Sequence, residues 1–161
     1  MTKGTTKTHS TTADITDESR VDPREALRKA LEIYSPTVVE RWLRPRNRGS
    51  MTQPDGLGRS ASDCQDTIEI FLRVRGERIT GISFLSTGCG STLASASMAT
   101  ELAEGKTLSE AMSITAADIL EALDGLPAHN AHCADMAAGA LRQAVQDALC
   151  TAREPWKKLY R

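Results

Sequence analysis

Along this chain the spacing of hydrophobic positions is helical, then alternating, then helical again. In "DPREALRKALEIY" apolar residues recur at helical spacing, Asp22 is placed to cap the helix, and Pro23 suits its first turn. "SPTVVERWL" repeats that signature with Ser35 and Pro36, and Pro45 closes it. "MTQPDGLGRSASD" reads as loop with at most one short edge strand. "TIEIFLRV" alternates, putting Ile68, Ile70, Leu72 and Val74 on one face and Glu69, Phe71 and Arg73 on the other. That strand is expected to start at Cys64, to turn through Arg75 and Gly76, and to return as "ITGISFL" in an antiparallel hairpin with one covered face. Helices follow. One runs from Ser91 to Ala103 and stops near Gly105; Thr107 and Glu110 have capping-box spacing before a short one; Thr115 caps another that ends near Leu123. The last is long, from about Ala131 to Arg153, and buries Met136, Ala137, Ala140, Leu141, Ala144, Val145 and Ala148. Strands followed by helices predict an α+β fold.

Composition narrows the function classes. Residues 1–21 are rich in Thr and Ser and poor in apolar positions, which predicts a disordered tail ahead of one domain over 22–161. The net charge of -1 gives no bulk attraction to nucleic acid. No apolar run reaches membrane-span length, and the N-terminus lacks a secretory apolar core. Asp14, Asp17 and Glu18 argue against an organelle transit peptide, so the expected location is cytoplasmic. In a reducing compartment four cysteines point to metal binding or catalysis, with small buried thiols as the alternative for any one of them.

No Cys-x-x-Cys pair is present, so local context carries the argument. Cys89 stands between Gly88 and Gly90 at a strand-to-helix turn, where free amides and the helix dipole favour a thiolate. The flanking glycines are expected to leave room for a bulky group to approach the sulfur. Cys64 and Asp66, two apart on a strand, are expected on the face that carries Ile68 and Ile70; Asp66 also reads as an ordinary polar strand end. His132 and Cys133 open the last helix, and neighbours there point about 100° apart, which makes them alternative ligands. His132 reads equally as a helix-start histidine bonded to backbone. His129 reads as a loop residue, Cys150 as packing, and "RPRNRGSM" as a solvated basic turn that could meet an acidic partner.

"YSPTVVERWLRPRNRGSM", "CQD", "STGCGSTLASASMATELAEGKTLSEA" and "LPAHNAHCADMAAGAL" together resemble the IscU-type iron–sulfur cluster scaffolds, the family of the NifU N-terminal domain. The resemblance runs from about Tyr34 to Ala148. It implies a three-stranded antiparallel sheet packed against helices. It implies a non-catalytic scaffold in which Cys64, Cys89 and Cys133, with Asp66 and His132, hold a transient [2Fe–2S] cluster or iron, with zinc possible in its place. It implies sulfur from a cysteine desulfurase and delivery to apo iron–sulfur acceptor proteins. "LPAHN" departs from the family's Leu-Pro-Pro-Val-Lys, which puts docking of an Hsp70-type chaperone in doubt. A zinc-bound, SufU-like sulfurtransferase is the alternative. That branch carries an insertion between its second and third cysteines and generally lacks the histidine; this chain has no such insertion and has His132.

Overall fold

The structure is a computed structural model that describes residues 22–156; the expected N-terminal tail, 1–21, lies outside the described residues. The order is α1 (Pro23–Ile33), α2 (Pro36–Leu43), β1 (Gly56–Ala61), β2 (Thr67–Arg75), β3 (Arg78–Thr87), α3 (Gly90–Ala103), α4 (Leu108–Met112), α5 (Ala116–Ala122) and α6 (His132–Arg153). A 3-10 turn, Ala128–Asn130, leads into α6. The strands form one antiparallel sheet in the order β1-β2-β3, so the α+β expectation holds.

The helix starts follow from local chemistry. Asp22 accepts from the Arg24 amide and Ser35 from the Val38 amide, each ahead of a proline in the first turn. Thr107 with Glu110 and Thr115 with Asp118 form reciprocal capping boxes that hold α4 and α5, both too short to persist unaided.

The alternation in β2 is also realised. Ile68, Ile70 and Leu72 are fully buried beneath the helices, beside Phe84 of β3. All seven residues expected on the buried face of α6 are buried. α3 is enclosed nearly all round and is built of small residues, which lets α2, α5, α6 and β3 close upon it. A nearly buried ion pair fixes α2 to α3: Arg41 Nε lies 2.6 Å from Glu101 Oε1. Arg46 reaches the same carboxylate, and its amide donates to Ser97 Oγ at 2.9 Å, so part of the "RPRNRGSM" turn is fastened to α3.

β1 was legible only as a minor option, because Gly56-Leu57-Gly58 lacks strand-forming residues. Its stability comes from α6. A Cβ at Gly58 would fall 2.0 Å from the Ala140 carbonyl oxygen and 2.3 Å from the Ala144 nitrogen. The strand therefore lies directly against helix backbone, opposite an alanine stripe. The edge amides are closed by the same helix: Leu57 N–H donates to Asp147 Oδ2 at 2.8 Å and Arg59 N–H to Gln143 Oε1 at 3.0 Å.

Candidate thiol–carboxylate site

Strand register builds the site. Thr67 opposes both Ala61 on β1 and Thr87 on β3. The 62–66 turn and the Gly88-Cys89 crossing into α3 therefore emerge at one end of the sheet. The start of α6 closes the same end.

Thr92, in the first turn of α3 and fully buried, is the hub. Its hydroxyl donates to Asp66 Oδ2 at 2.9 Å. The same oxygen lies 3.5 Å from Cys89 Sγ and 3.5 Å from Cys133 Sγ. Cys133 Sγ is in turn 3.8 Å from His132 Nε2. His132 Nδ1 lies 3.1 Å from the His129 carbonyl oxygen, an acceptor only. Nδ1 therefore donates to it, and Nε2 is the nitrogen that faces the sulfur. The expectation of a helix-start histidine bonded to backbone holds, and the other ring nitrogen faces Cys133.

Cys64 stands apart, and its expected placement is corrected. β2 begins at Thr67, so Cys64 belongs to the preceding turn rather than to the strand. Gln65 between Cys64 and Asp66 has a positive φ of 64°, which breaks the alternation that would put them on one face. Asp66 turns in towards Thr92. Cys64 is exposed and lines an open cavity of about 530 Å³ shared with His132, Asp63 and Asp135. The five candidates thus form two adjoining groups, Asp66–Cys89–Cys133 and Cys64–His132, joined at the Cys133–His132 contact. Among the described residues no group of three or more His, Cys, Asp or Glu side chains is arranged to hold a metal ion.

The glycines flanking Cys89 admit neighbouring side chains. A Cβ at Gly88, where φ is +143°, would fall 2.7 Å from Asp66 Cγ. One at Gly90 would fall 2.4 Å from the Trp42 indole. The places a side chain would take at 88 and 90 are filled by a carboxylate and an aromatic ring, while Cys89 itself is exposed.

The two inner thiols differ electrostatically. Burial acts to raise the Cys89 thiol, but the Thr92 hydroxyl, the Thr92 and Ser91 amides and the Ser91 hydroxyl outweigh it, and its pKa falls below the ordinary thiol value. Burial pushes the Cys133 thiol up, opposed by Thr92 and reinforced by the nearby Cys89 and Asp66 charges. Cys89 is exposed and Cys133 fully buried. Cys150 is exposed too, which corrects its reading as packing.

Thr92 carried no recognisable signal in the sequence, since a threonine among the serines and alanines of α3 looks like filler. In the sequence Asn130 stands out only as a departure from a motif. Its Nδ2 donates to Tyr34 Oη and Ser91 Oγ, both at 3.0 Å, which ties the 3-10 turn to the start of α3 and to the end of α1.

Fold and site define a class: a small α+β domain with three thiols, a carboxylate and an imidazole at one end of its sheet, a donor set suited to soft metal or iron–sulfur cargo. The family model described as NifU-like N terminal domain matches residues 33–152, and the chain belongs to that family. It is 42% identical over 116 residues to the iron–sulfur cluster assembly scaffold protein IscU 1 of Archaeoglobus fulgidus, covering 71% of this chain and 76% of that protein. It is 38% identical over 119 residues to the scaffold protein IscU of Escherichia coli K12, covering 71% and 92%. Among solved structures, the crystal structure of a putative iron–sulfur cluster assembly scaffold protein for the SUF system from Fervidobacterium islandicum superposes with a TM-score of 0.62 at 20% identity. That match covers 71% of this chain and 97% of the other, and it shows the shared fold. Helix α1 precedes the family match except for its last residue. No helix among the described residues is long and apolar enough to cross a membrane.

Proposed function

We propose that this protein is a scaffold on which a [2Fe–2S] cluster is assembled from iron and sulfur and from which it is handed to apo-proteins. Cluster and iron are cargo, and the chain performs no turnover of its own. The observation that carries the reading is the convergence of Asp66, Cys89 and Cys133 on one buried hydroxyl, with His132 and Cys64 alongside.

In this reading Cys64, Cys89 and Cys133 supply thiolates, Asp66 an exchangeable hard oxygen and His132 a nitrogen that replaces or supplements it. Cargo binding requires the 62–66 turn to carry Cys64 towards the inner thiols. Within that turn Ser62 N–H donates to Asp66 O at 2.9 Å and Gln65 N–H to Ser62 O at 3.0 Å, and the Asp66 side chain accepts from Thr92. A loose outer thiol and a mixed donor set suit temporary holding; a storage site would bury four cysteines.

The partners are a cysteine desulfurase that supplies sulfur and apo-acceptors that take the cluster, and the location is cytoplasmic. No Hsp70-type chaperone is included, because Asn130 stands at the motif's lysine position and its amide is occupied by Tyr34 and Ser91.

Anaerobic reconstitution with iron and sulfide tests the reading. A scaffold develops sulfur-to-iron charge-transfer absorption in the visible region, which Cys89→Ser abolishes while the fold persists. Asp66→Ala slows transfer to an apo-acceptor, since incoming thiols displace the oxygen ligand most easily. A colourless protein that retains zinc and takes persulfide sulfur from the desulfurase would replace this reading with the sulfurtransferase one.

A further inference from the structure

Thr92 is unlike the other buried threonine placed to compare with it. In helices a buried Thr hydroxyl commonly bonds back to a carbonyl of the preceding turn. Thr100, on the same helix, does so, donating to the Ser97 carbonyl oxygen at 2.7 Å. The Thr92 hydroxyl leaves its own helix and donates to a carboxylate 26 positions away, at 2.9 Å. The same oxygen stands 3.5 Å from Cys89 Sγ and 3.5 Å from Cys133 Sγ. Gly88 also abuts the carboxylate: a Cβ there would fall 2.7 Å from Oδ2 and 3.0 Å from Oδ1. Asp66 is thus held by one directional contact and one steric wall.

We propose that Thr92 is the positioning residue of the site, its hydroxyl holding the Asp66 carboxylate in ligating position between Cys89 and Cys133. This rests on the metal-binding reading above and deepens it. Without the hydroxyl, the carboxylate would face an apolar group in a buried setting and would turn towards water.

Two near-isosteric variants separate positioning from packing. Thr92→Val keeps the shape and removes the hydroxyl; Thr92→Ser keeps the hydroxyl and loses a methyl. The probe is Co²⁺, titrated anaerobically into the metal-free protein and followed by thiolate-to-cobalt charge-transfer and ligand-field absorption. Losing a group that orients a metal ligand typically costs about 10–100-fold in affinity. Thr92→Val is expected to weaken Co²⁺ by that amount and to change the ligand-field bands as Asp66→Ala does. Thr92→Ser is expected to bind as the wild type does. In an Asp66→Ala background, Thr92→Val is expected to have no further effect, because the hydroxyl then has no carboxylate to hold.

Wild-type affinity in Thr92→Val would overturn the proposal. So would a Thr92→Ser variant as weak as Thr92→Val, or a full loss on adding Thr92→Val to Asp66→Ala. Each of these leaves the metal-binding reading standing. A wild-type protein that takes up no Co²⁺ would overturn that reading, and the role of Thr92 with it.

Discussion

Replacing Gly88 by alanine isolates the packing of Asp66 from everything else at the site. The new methyl would lie 2.7 Å from Asp66 Cγ and Oδ2 and 3.0 Å from Oδ1. Non-bonded carbons settle at about 3.5–4.0 Å, so the carboxylate must retreat by roughly 1 Å. The oxygen that must move, Oδ2, is the one that accepts from Thr92 at 2.9 Å, and a shift of that size spoils the geometry of that bond. The backbone adds a second cost: φ is +143°, a region open essentially to glycine, and an L-residue there loses about 1–3 kcal/mol. Gly88→Ala should therefore lower the thermal midpoint by roughly 3–10 °C. It should also weaken Co²⁺ by about 10–100-fold in the anaerobic titration, as loss of a ligand's support does. Gly90→Ala is the control, because its methyl meets the Trp42 indole at 2.4 Å, with no Asp66 atom among its nearest neighbours. It should cost stability and spare the ion. Wild-type Co²⁺ affinity in Gly88→Ala, or an equal loss in Gly90→Ala, would refute the assignment of Asp66 to the site through Gly88.

Three further outcomes are expected. Gly58→Ala forces β1 off α6 and should destabilise the domain by about 3 kcal/mol or more, read as a lowered urea midpoint; an unchanged midpoint would mean the strand is not seated on the helix backbone. Iodoacetamide at neutral pH should modify Cys89 well before Cys133, because Cys89 is exposed with a lowered pKa, hence more thiolate, and Cys133 is buried with a raised one; peptide mapping that finds equal rates would contradict this. Asn130→Ala removes two hydrogen bonds and should cost about 1–2 kcal/mol, with Tyr34→Phe costing less; a larger loss in Tyr34→Phe would show that the Asn130 amide is not what ties these segments together.

The sequence by itself determined what nearest-neighbour physics controls. Capping residues and prolines set the starts of α1, α2, α4 and α5, alternation set β2 and β3, and helical spacing set the buried face of α6. These depend on backbone amides and side chains a few positions apart, so a single chain read in order contains them. The candidate donors were legible as residue types at suggestive places, and the family resemblance was legible in their order.

Tertiary structure decided what each of them touches. β1 exists because a Gly-x-Gly segment can lie against the alanine stripe of α6, a fit between segments more than 80 positions apart. Cys64 left its expected strand because Gln65 adopts a positive φ and the 62–66 turn bonds to itself. The glycines beside Cys89 admit Asp66 and Trp42, and Thr92 became the hub only when β2, α3 and α6 met around it. Periodicity reports which face a residue occupies. Contact across the fold depends on how closely two backbones approach, and the volumes that set this approach belong to both partners together.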